Sequence, residues 1–344
     1  MAMKTQTKNR QFRLKTRPSG RVSADNFSFA EEALPDLGDN EVLIRNVYLS
    51  LDPTNRIWMS EMDQYMPPVA LGEVMRGLGI GKVERSNNPQ YKEGDYVSGL
   101  VGWQDYFVPK GEQAFGLTVL PNIPGVPLQA MAGAAGMTGW TAYFGLIEVG
   151  KPKEGETLVV SAAAGAVGSV VGQLGKLLGL RVVGIAGGPE KCKWLTQDLG
   201  FDAAIDYKSA SWKQDLKVAT ANGVDINFEN VGGEIMNAVY ERLNLHARMV
   251  VCGLIAGYND NDDSKTRVSL APTLMKRLRI EGIIVSDFAS KIPEATTQLA
   301  QWIAAGKIKH RETIVEGLEN APEVLNKMFD GTNIGKLLIK VSEP

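Results

Sequence analysis

From Thr157 to Gly179 the chain reads T-L-V-V-S-A-A-A-G-A-V-G-S-V-V-G-Q-L-G-K-L-L-G. Thr157 to Ser161 is a short, apolar, β-branched run, the pattern of a buried parallel strand. Small residues follow, and from Ala166 the apolar spacing becomes helical. Val167, Val170, Val171, Leu174, Leu177 and Leu178 form one stripe, while Gly168, Gly172 and Gly175 allow the helix to approach a sheet closely. Ala162, Gly165 and Gly168 make A-x-x-G-x-x-G, a dinucleotide fingerprint with alanine in place of its first glycine. A strand, a small-residue turn and a helix N-terminus aim unpaired N–H groups and the helix dipole at one spot, which suits a pyrophosphate. The same residues would also serve a packing turn. Their place at a strand-to-helix switch, with another strand following, favours the dinucleotide.

Outward from this stretch the pattern alternates. Arg181 to Ala186 reads as a second strand, and Pro189 to Leu199 as a helix with an early proline and Gly200 as its stop. Ala203 to Asp206, Val224 to Glu229, Ala247 to Gly253 and Ile280 to Val285 continue the strands, with a helix from Gly233 to Leu245 among the connections. Regular βα alternation predicts an α/β fold with a doubly wound parallel sheet. Before it, Arg10 to about Pro121 reads as short strands and turns, of which Glu41 to Leu51 is the clearest. Pro121 to Pro127 looks like a crossover, and Leu128 to Ile147 turns helical. A helix from Lys291 to about Ala305, a strand, a helix from Ala321 and a last strand, Lys336 to Val341, read as returning to the first domain. The expected division is therefore a dinucleotide domain over 126–305 and a second domain over 1–125 with 306–344.

At 344 residues two domains are the natural expectation. A net charge of -2 points to neither nucleic acid nor an anionic membrane, and no apolar run is long enough to span a bilayer. The start of the chain is basic through Lys4, Lys8, Arg10, Arg13, Lys15, Arg17 and Arg21. It reads as a transit peptide or, preferably, as a basic first strand with its loops. Two cysteines, Cys192 and Cys252, make no disulfide framework, which suits a reducing cytoplasm.

Strand two ends in Ala186-Gly187-Gly188, with no carboxylate to bind a ribose diol or to repel a 2′-phosphate. Lys191 follows at a helix start and Tyr207 ends strand three. Lys191 reads equally as a phosphate ligand and as a solvated helix lysine. Zinc dehydrogenases of comparable plan need thiolate and imidazole ligands, and no Cys or His precedes Cys192, so no metal is expected.

The chain resembles the zinc-free branch of the medium-chain dehydrogenase/reductases, in the prostaglandin reductase and alkenal double-bond reductase group, with bacterial NADPH-dependent curcumin reductases the nearest kind. The resemblance rests on V-Y-L-S-L-D-P (Val47 to Pro53), G-W-Q-D-Y (Gly102 to Tyr106), A-A-A-G-A-V-G (Ala162 to Gly168) and A-G-G-P-E-K (Ala186 to Lys191). E-N-V-G-G (Glu229 to Gly233), C-G-L-I-A-G-Y-N (Cys252 to Asn259), G-L-E-N-A-P (Gly317 to Pro322) and G-T-N-I-G-K (Gly331 to Lys336) extend it along the whole chain. It implies a Rossmann domain beside a GroES-like β-rich substrate domain, NADPH as cofactor, a homodimer and a small-molecule enone substrate. Position by position, it implies that Gly165, Ala166, Val167 and Gly168 hold the pyrophosphate, and that Lys191 and Tyr207, beside Gly187, hold the 2′-phosphate. It further implies that Asn230 sits at the nicotinamide end, that Cys252, Gly253 and the loop to Tyr258 line the nicotinamide ribose, that Ile283, Ile284 and Val285 receive the carboxamide, and that Asn333 reaches the phosphates. On spacing alone, Cys252 is also a small buried residue, Asn230 and Asn333 are also turn residues, and Tyr258 is also a loop packing residue. The group commonly carries tyrosine where this chain has Thr54, which leaves substrate contact to Thr54, Asn55 or a neighbour such as Tyr65.

Without a Lewis acid, alcohol oxidation is disfavoured and conjugate reduction leads. Hydride would go to the β-carbon of an α,β-unsaturated ketone or aldehyde. Tyr258, on the loop after strand five, is the expected donor to the developing oxyanion. NADPH quinone reduction is one alternative. A nicotinamide-binding protein without significant turnover is the other.

Overall fold

The computed structural model describes residues 8–110, 116–259 and 268–344. Its described residues divide into two units: those up to Asn122 with Thr313–Thr332 and Leu337–Pro344, and Ile123–Glu312 with Asn333–Lys336. The second unit thus runs past the expected end at 305. Gln173 holds it there, donating to the Lys309 carbonyl and accepting from the Lys309 N–H, both at 2.8 Å. Asn333–Lys336 joins the same unit because Gly335 N–H donates to Ala164 O at 2.8 Å and Lys336 N–H to Arg311 O at 2.9 Å.

In this second unit six parallel strands lie in the order Ala203–Asp206, Arg181–Ala186, Thr157–Val160, Val224–Glu229, Leu243–Val251, Arg279–Gly282. The order runs outward both ways from Thr157–Val160, the doubly wound arrangement, and it opens a ligand crevice at the carboxyl ends of the central strands. Leu158, Val159, Val160, Val182, Val183, Ile226 and Phe228 are fully buried, as the apolar runs require. The strand expected from Ala247 begins earlier, at Leu243, because the preceding helix stops at Tyr240. His246 occupies a left-handed backbone position (φ 62°) where the pairing with Val224–Glu229 shifts register. The helix expected over Pro189 to Leu199 is α-helical to Lys193 and continues as a wider turn to Asp198.

In the first unit Lys8–Leu14 pairs with Phe27–Ala33 as an antiparallel hairpin. A separate seven-stranded sheet includes Val42–Leu51, Leu78–Ser86, Tyr96–Leu100 and Lys336–Lys340. Phe12, Phe27 and Trp103 pack as an aromatic cluster, with Phe27 stacked on Trp103 at 5.3 Å. The basic residues near the start are committed to this unit: Arg10 pairs with Asp105 at 2.7 Å, Arg13 with Glu32 at 2.7 Å, Arg17 with Glu61 at 3.1 Å, and Arg21 with Asp330. Lys8–Leu14 is a strand, while Lys4 lies outside the described residues.

Candidate cofactor and reaction site

The fingerprint turn is built as its small residues allow. Ala162 holds a left-handed backbone (φ 47°), the conformation for which a first glycine is used elsewhere, and so carries strain of about 1–2 kcal/mol. Gly165 N–H donates to Ala162 O at 2.9 Å and Ser169 N–H to Gly165 O at 3.0 Å, so the turn feeds directly into the helix Gly168–Leu177. A Cβ on Gly168 would lie 2.5 Å from Ala162 O and 2.8 Å from Ala163 Cα, both backbone atoms that cannot swing away. Asn333 belongs to the short segment that runs alongside, where Gly335 bridges Gly165, and its amide donates to Gly335 O at 3.2 Å.

At the end of strand Arg181–Ala186 the pairing of Ala186 with Asp206 brings two loops together. Asp206 Oδ1 accepts Gly188 N–H at 2.8 Å and Lys208 N–H at 3.0 Å, so this carboxylate organises the loops. Gly187 faces the result: a Cβ there would lie 2.9 Å from the Tyr207 hydroxyl and 3.0 Å from Lys208 Cε. Burial first, and then the positive charge of Lys208, pull the half-buried Lys191 ammonium below the ordinary lysine value, against Glu190. Tyr207 and Lys208 thus pack closely against Gly187, where a side chain would not fit, and Lys191 lies near enough to Lys208 to feel its charge. Sequence reasoning missed Lys208. Its one signal was adjacency to Tyr207.

The carboxyl end of Val224–Glu229 carries a second network. Glu229 is fully buried. It accepts Ser161 Oγ–H at 2.8 Å, Val231 N–H at 2.7 Å, Gly232 N–H at 2.9 Å and the Asn227 amide at 3.2 Å. Burial outweighs these donors and pushes its carboxyl above the usual range. Asn230 is fixed to the same serine, by its N–H to Ser161 Oγ and its amide to Ser161 O, both 2.8 Å. The Cys252–Tyr258 loop folds over this turn: Cys252 N–H donates to Glu229 O at 2.9 Å, Ile255 N–H to Asn230 O at 3.2 Å, and Ala256 N–H to Val231 O at 3.0 Å. Leu254 N–H donates to the Tyr258 hydroxyl at 3.0 Å, which sets the phenol beside Gly253. Burial, aided by Glu229, pushes the Cys252 thiol up to about 12, so it stays protonated and inert near neutral pH. Ile283 N–H donates to Val251 O at 3.1 Å, and the Ile283 side chain is buried against Gly145.

Asn55 lies in the first turn of the helix Thr54–Trp58. It is fully buried, its amide oxygen accepting Asp52 N–H at 2.7 Å and its nitrogen donating to Arg76 O at 3.3 Å. Those bonds tie the start of the helix Thr54–Trp58 to Asp52 and Arg76. Tyr65 is 52% exposed, and its hydroxyl lies 2.6 Å from Thr54 Oγ1. His310 is half-buried and bonded to Glu312 at 2.7 Å. Among the described residues no three His, Cys, Asp or Glu side chains converge as metal ligands.

Two family models match the chain: an N-terminal domain of oxidoreductases over residues 10–117, and a zinc-binding dehydrogenase domain over residues 166–305. The NADPH-dependent curcumin reductase of Escherichia coli is 44% identical over 340 residues, 97% of this chain and 97% of that one. The chain belongs to the zinc-free reductase group of the medium-chain dehydrogenase/reductases. A tobacco (Nicotiana tabacum) 2-alkenal reductase (NADP(+)-dependent) is 40% identical over 310 residues, 89% of this chain and 88% of that one. The crystal structure of CurA from Vibrio vulnificus in complex with NADPH superposes with a TM-score of 0.90 at 42% identity, covering 97% of this chain and 100% of that one. The zinc in the second model's description does not fit this chain, which has no thiol or imidazole before Cys192 to hold it.

Proposed function

We propose that the protein reduces the carbon–carbon double bond of α,β-unsaturated ketones and aldehydes, curcumin-like enones among them, with NADPH and without zinc. The observation that carries this is the Tyr258 phenol, held by Leu254 N–H on the loop that closes over the Asn230 turn. The named activities of the curcumin and alkenal reductase relatives support it. In this reading Gly165 to Gly168 hold the pyrophosphate, with Asn333 reaching the phosphates. Lys191, Tyr207 and Lys208, beside Gly187, hold the 2′-phosphate. Asn230 and Cys252 to Tyr258 border the nicotinamide ribose, and Ile283 to Val285 take the carboxamide.

Bound NADPH would supply the hydride to the substrate's β-carbon. The protein's task is to place that carbon and to stabilise the charge that develops on the carbonyl oxygen. A phenol both accepts and donates, so accepting from Leu254 is compatible with Tyr258 donating to that oxygen. The α-carbon then takes a proton. Tyr65 and Thr54 are the substrate-facing polar pair in the first unit.

The protein also acts as a homodimer in this reading. Strand Arg279–Gly282 forms an outer edge of the parallel sheet, with Ile280 41% exposed, and the preceding segment exposes Leu270, Leu274 and Met275 at 71%, 71% and 67%. An edge with no partner strand among the described residues, beside an apolar patch, is covered most simply by its own symmetry mate. Two free cysteines suit the cytoplasm, and no helix among the described residues is long and apolar enough to cross a membrane.

Turnover of a panel of enones, enals and quinones with NADPH and NADH, with products identified, tests the reaction. The expected product is the saturated carbonyl compound, formed fastest with NADPH. Faster oxidation of NADPH by quinones would favour quinone reduction. Tight NADPH binding with no turnover of any acceptor would leave only a binding protein.

A further inference from the structure

We propose that Glu229 supplies a buried negative charge that favours the oxidised, positively charged nicotinamide ring, so that the protein holds NADP+ more tightly relative to NADPH than it would without that charge. This rests on the reading that Asn230 and the Cys252–Tyr258 loop border the nicotinamide end of the cofactor, and every residue involved belongs to the second unit. Glu229 closes the strand Val224–Glu229, at the carboxyl end of the sheet where the crevice opens. Val231 N–H, Gly232 N–H and the Ser161 hydroxyl converge on its Oε1, and the Asn227 amide donates to its Oε2. Ser161 Oγ accepts Asn230 N–H, which leaves its own hydrogen for the carboxylate. All four partners donate, the setting of an ionised carboxylate.

The missing element is a cation. Among the described residues no lysine, arginine or histidine pairs with Glu229, although it is fully buried. Buried charges are ordinarily paired. In the reaction proposed above a cation forms nearby: the hydride carries its hydrogen and both electrons to the β-carbon, and the ring that loses it is left positive. The field of Glu229 reaches the loop that borders that ring, since it adds to the burial that pushes the Cys252 thiol up to about 12. Backbone bonds keep the loop there, with Cys252 N–H and Gly253 N–H donating to the Glu229 carbonyl at 2.9 and 3.1 Å. Glu229 touches neither cofactor nor substrate in this account. It acts through space, and by fixing the Asn230 turn through Ser161.

Calorimetry with NADP+ and NADPH, on the wild type and on Glu229→Gln at about pH 8, provides the test. Glutamine keeps an oxygen for the three donors on Oε1, and its amide can donate to Asn227 Oδ1, which has no hydrogen-bond partner in the structure. The variant therefore keeps the shape and removes the charge. Both cofactors carry the same phosphates, so those contacts cancel in the ratio of the two dissociation constants. Glu229→Gln should raise the ratio of the NADP+ Kd to the NADPH Kd by about three- to thirtyfold. Affinity for adenosine 2′,5′-bisphosphate, which lacks the nicotinamide, should stay unchanged. An unchanged ratio, or equal loss of all three ligands, overturns the proposal. Should the variant fail to fold, the wild type decides: its ratio should rise as pH falls from about 8 to about 5.5, because burial lifts the Glu229 carboxyl above the usual range and it takes up a proton there. The other titratable groups on the elements packed around it are Cys252, whose thiol stays protonated, Tyr258, and Glu234, which is exposed and paired with Lys213 at 2.5 Å. A ratio flat with pH then overturns the proposal. No enone enters these measurements. The expected shift without reduction of any enone keeps the charge and refutes the reaction, whereas enone reduction without the shift refutes the role of Glu229.

Discussion

Replacing Lys191 by alanine should separate NADPH from NADH. A charge-assisted hydrogen bond to phosphate contributes about 1.5–3 kcal/mol, or roughly ten- to 150-fold in affinity. Lys191 is half-buried, so solvent screens it less than a surface lysine and the full range applies. Lys208 is exposed, and Lys208→Ala should cost less, about 0.5–1 kcal/mol or two- to fivefold. The pH dependence follows from the same geometry. Burial and Lys208 lower the Lys191 pKa, so preference for NADPH should decline on the alkaline side before an ordinary lysine would lose its proton. Lys208→Ala removes the like charge and should move that decline to higher pH. On the acid side preference should decline as the ligand's own phosphate takes up a proton near its second pKa of about 6. Tryptophan-fluorescence titration with both cofactors, from about pH 5 to about pH 10, measures all of this. Equal weakening of NADPH and NADH by Lys191→Ala, or no weakening of either, would refute this phosphate site.

Gly168→Ala should destabilise the second unit by about 1–3 kcal/mol, because the new methyl meets backbone at 2.5 and 2.8 Å; thermal unfolding and NADPH affinity should fall together. Exhaustive chelation should leave turnover intact, and elemental analysis should find no stoichiometric zinc, since the chain lacks the donor set. Leu274→Asp, placed in the exposed apolar patch, should convert a dimer into a monomer in analytical ultracentrifugation without changing NADPH affinity; a wild-type monomer would remove the dimer from the account.

The parallel sheet was legible because its inner strands are continuous apolar runs stopped by small residues, as at Val160-Ser161 and Ala186-Gly187. The early start of the strand at Leu243 was not. Val239, Tyr240 and Leu243 keep helical spacing, and no glycine or proline stops the helix. What ends it is long-range, a hydrogen bond from Val224 N–H to Arg242 O at 3.0 Å. Lys208 was hidden for a similar reason: it lies near Lys191 only because Asp206 pairs with Ala186 across two strands. The turn at Asn55 was not legible either, because its amide oxygen accepts Asp52 N–H only once the chain bends there. Ala162 shows the reverse case, a non-glycine accepted at a left-handed position because the surrounding turn over-determines it.

The most direct measurement of the central claim follows the two hydrogens separately. With NADPH deuterated at the transferred position, the label should appear on the β-carbon of a saturated ketone. In deuterated water with ordinary NADPH, it should appear on the α-carbon. Tyr258→Phe, which keeps the ring and loses the donor, should slow this step by up to about 10²–10³ if the phenol meets the full oxyanion charge. Undiminished turnover in Tyr258→Phe would take the tyrosine out of the reaction. Deuterium on the carbonyl carbon of an allylic alcohol would contradict the account.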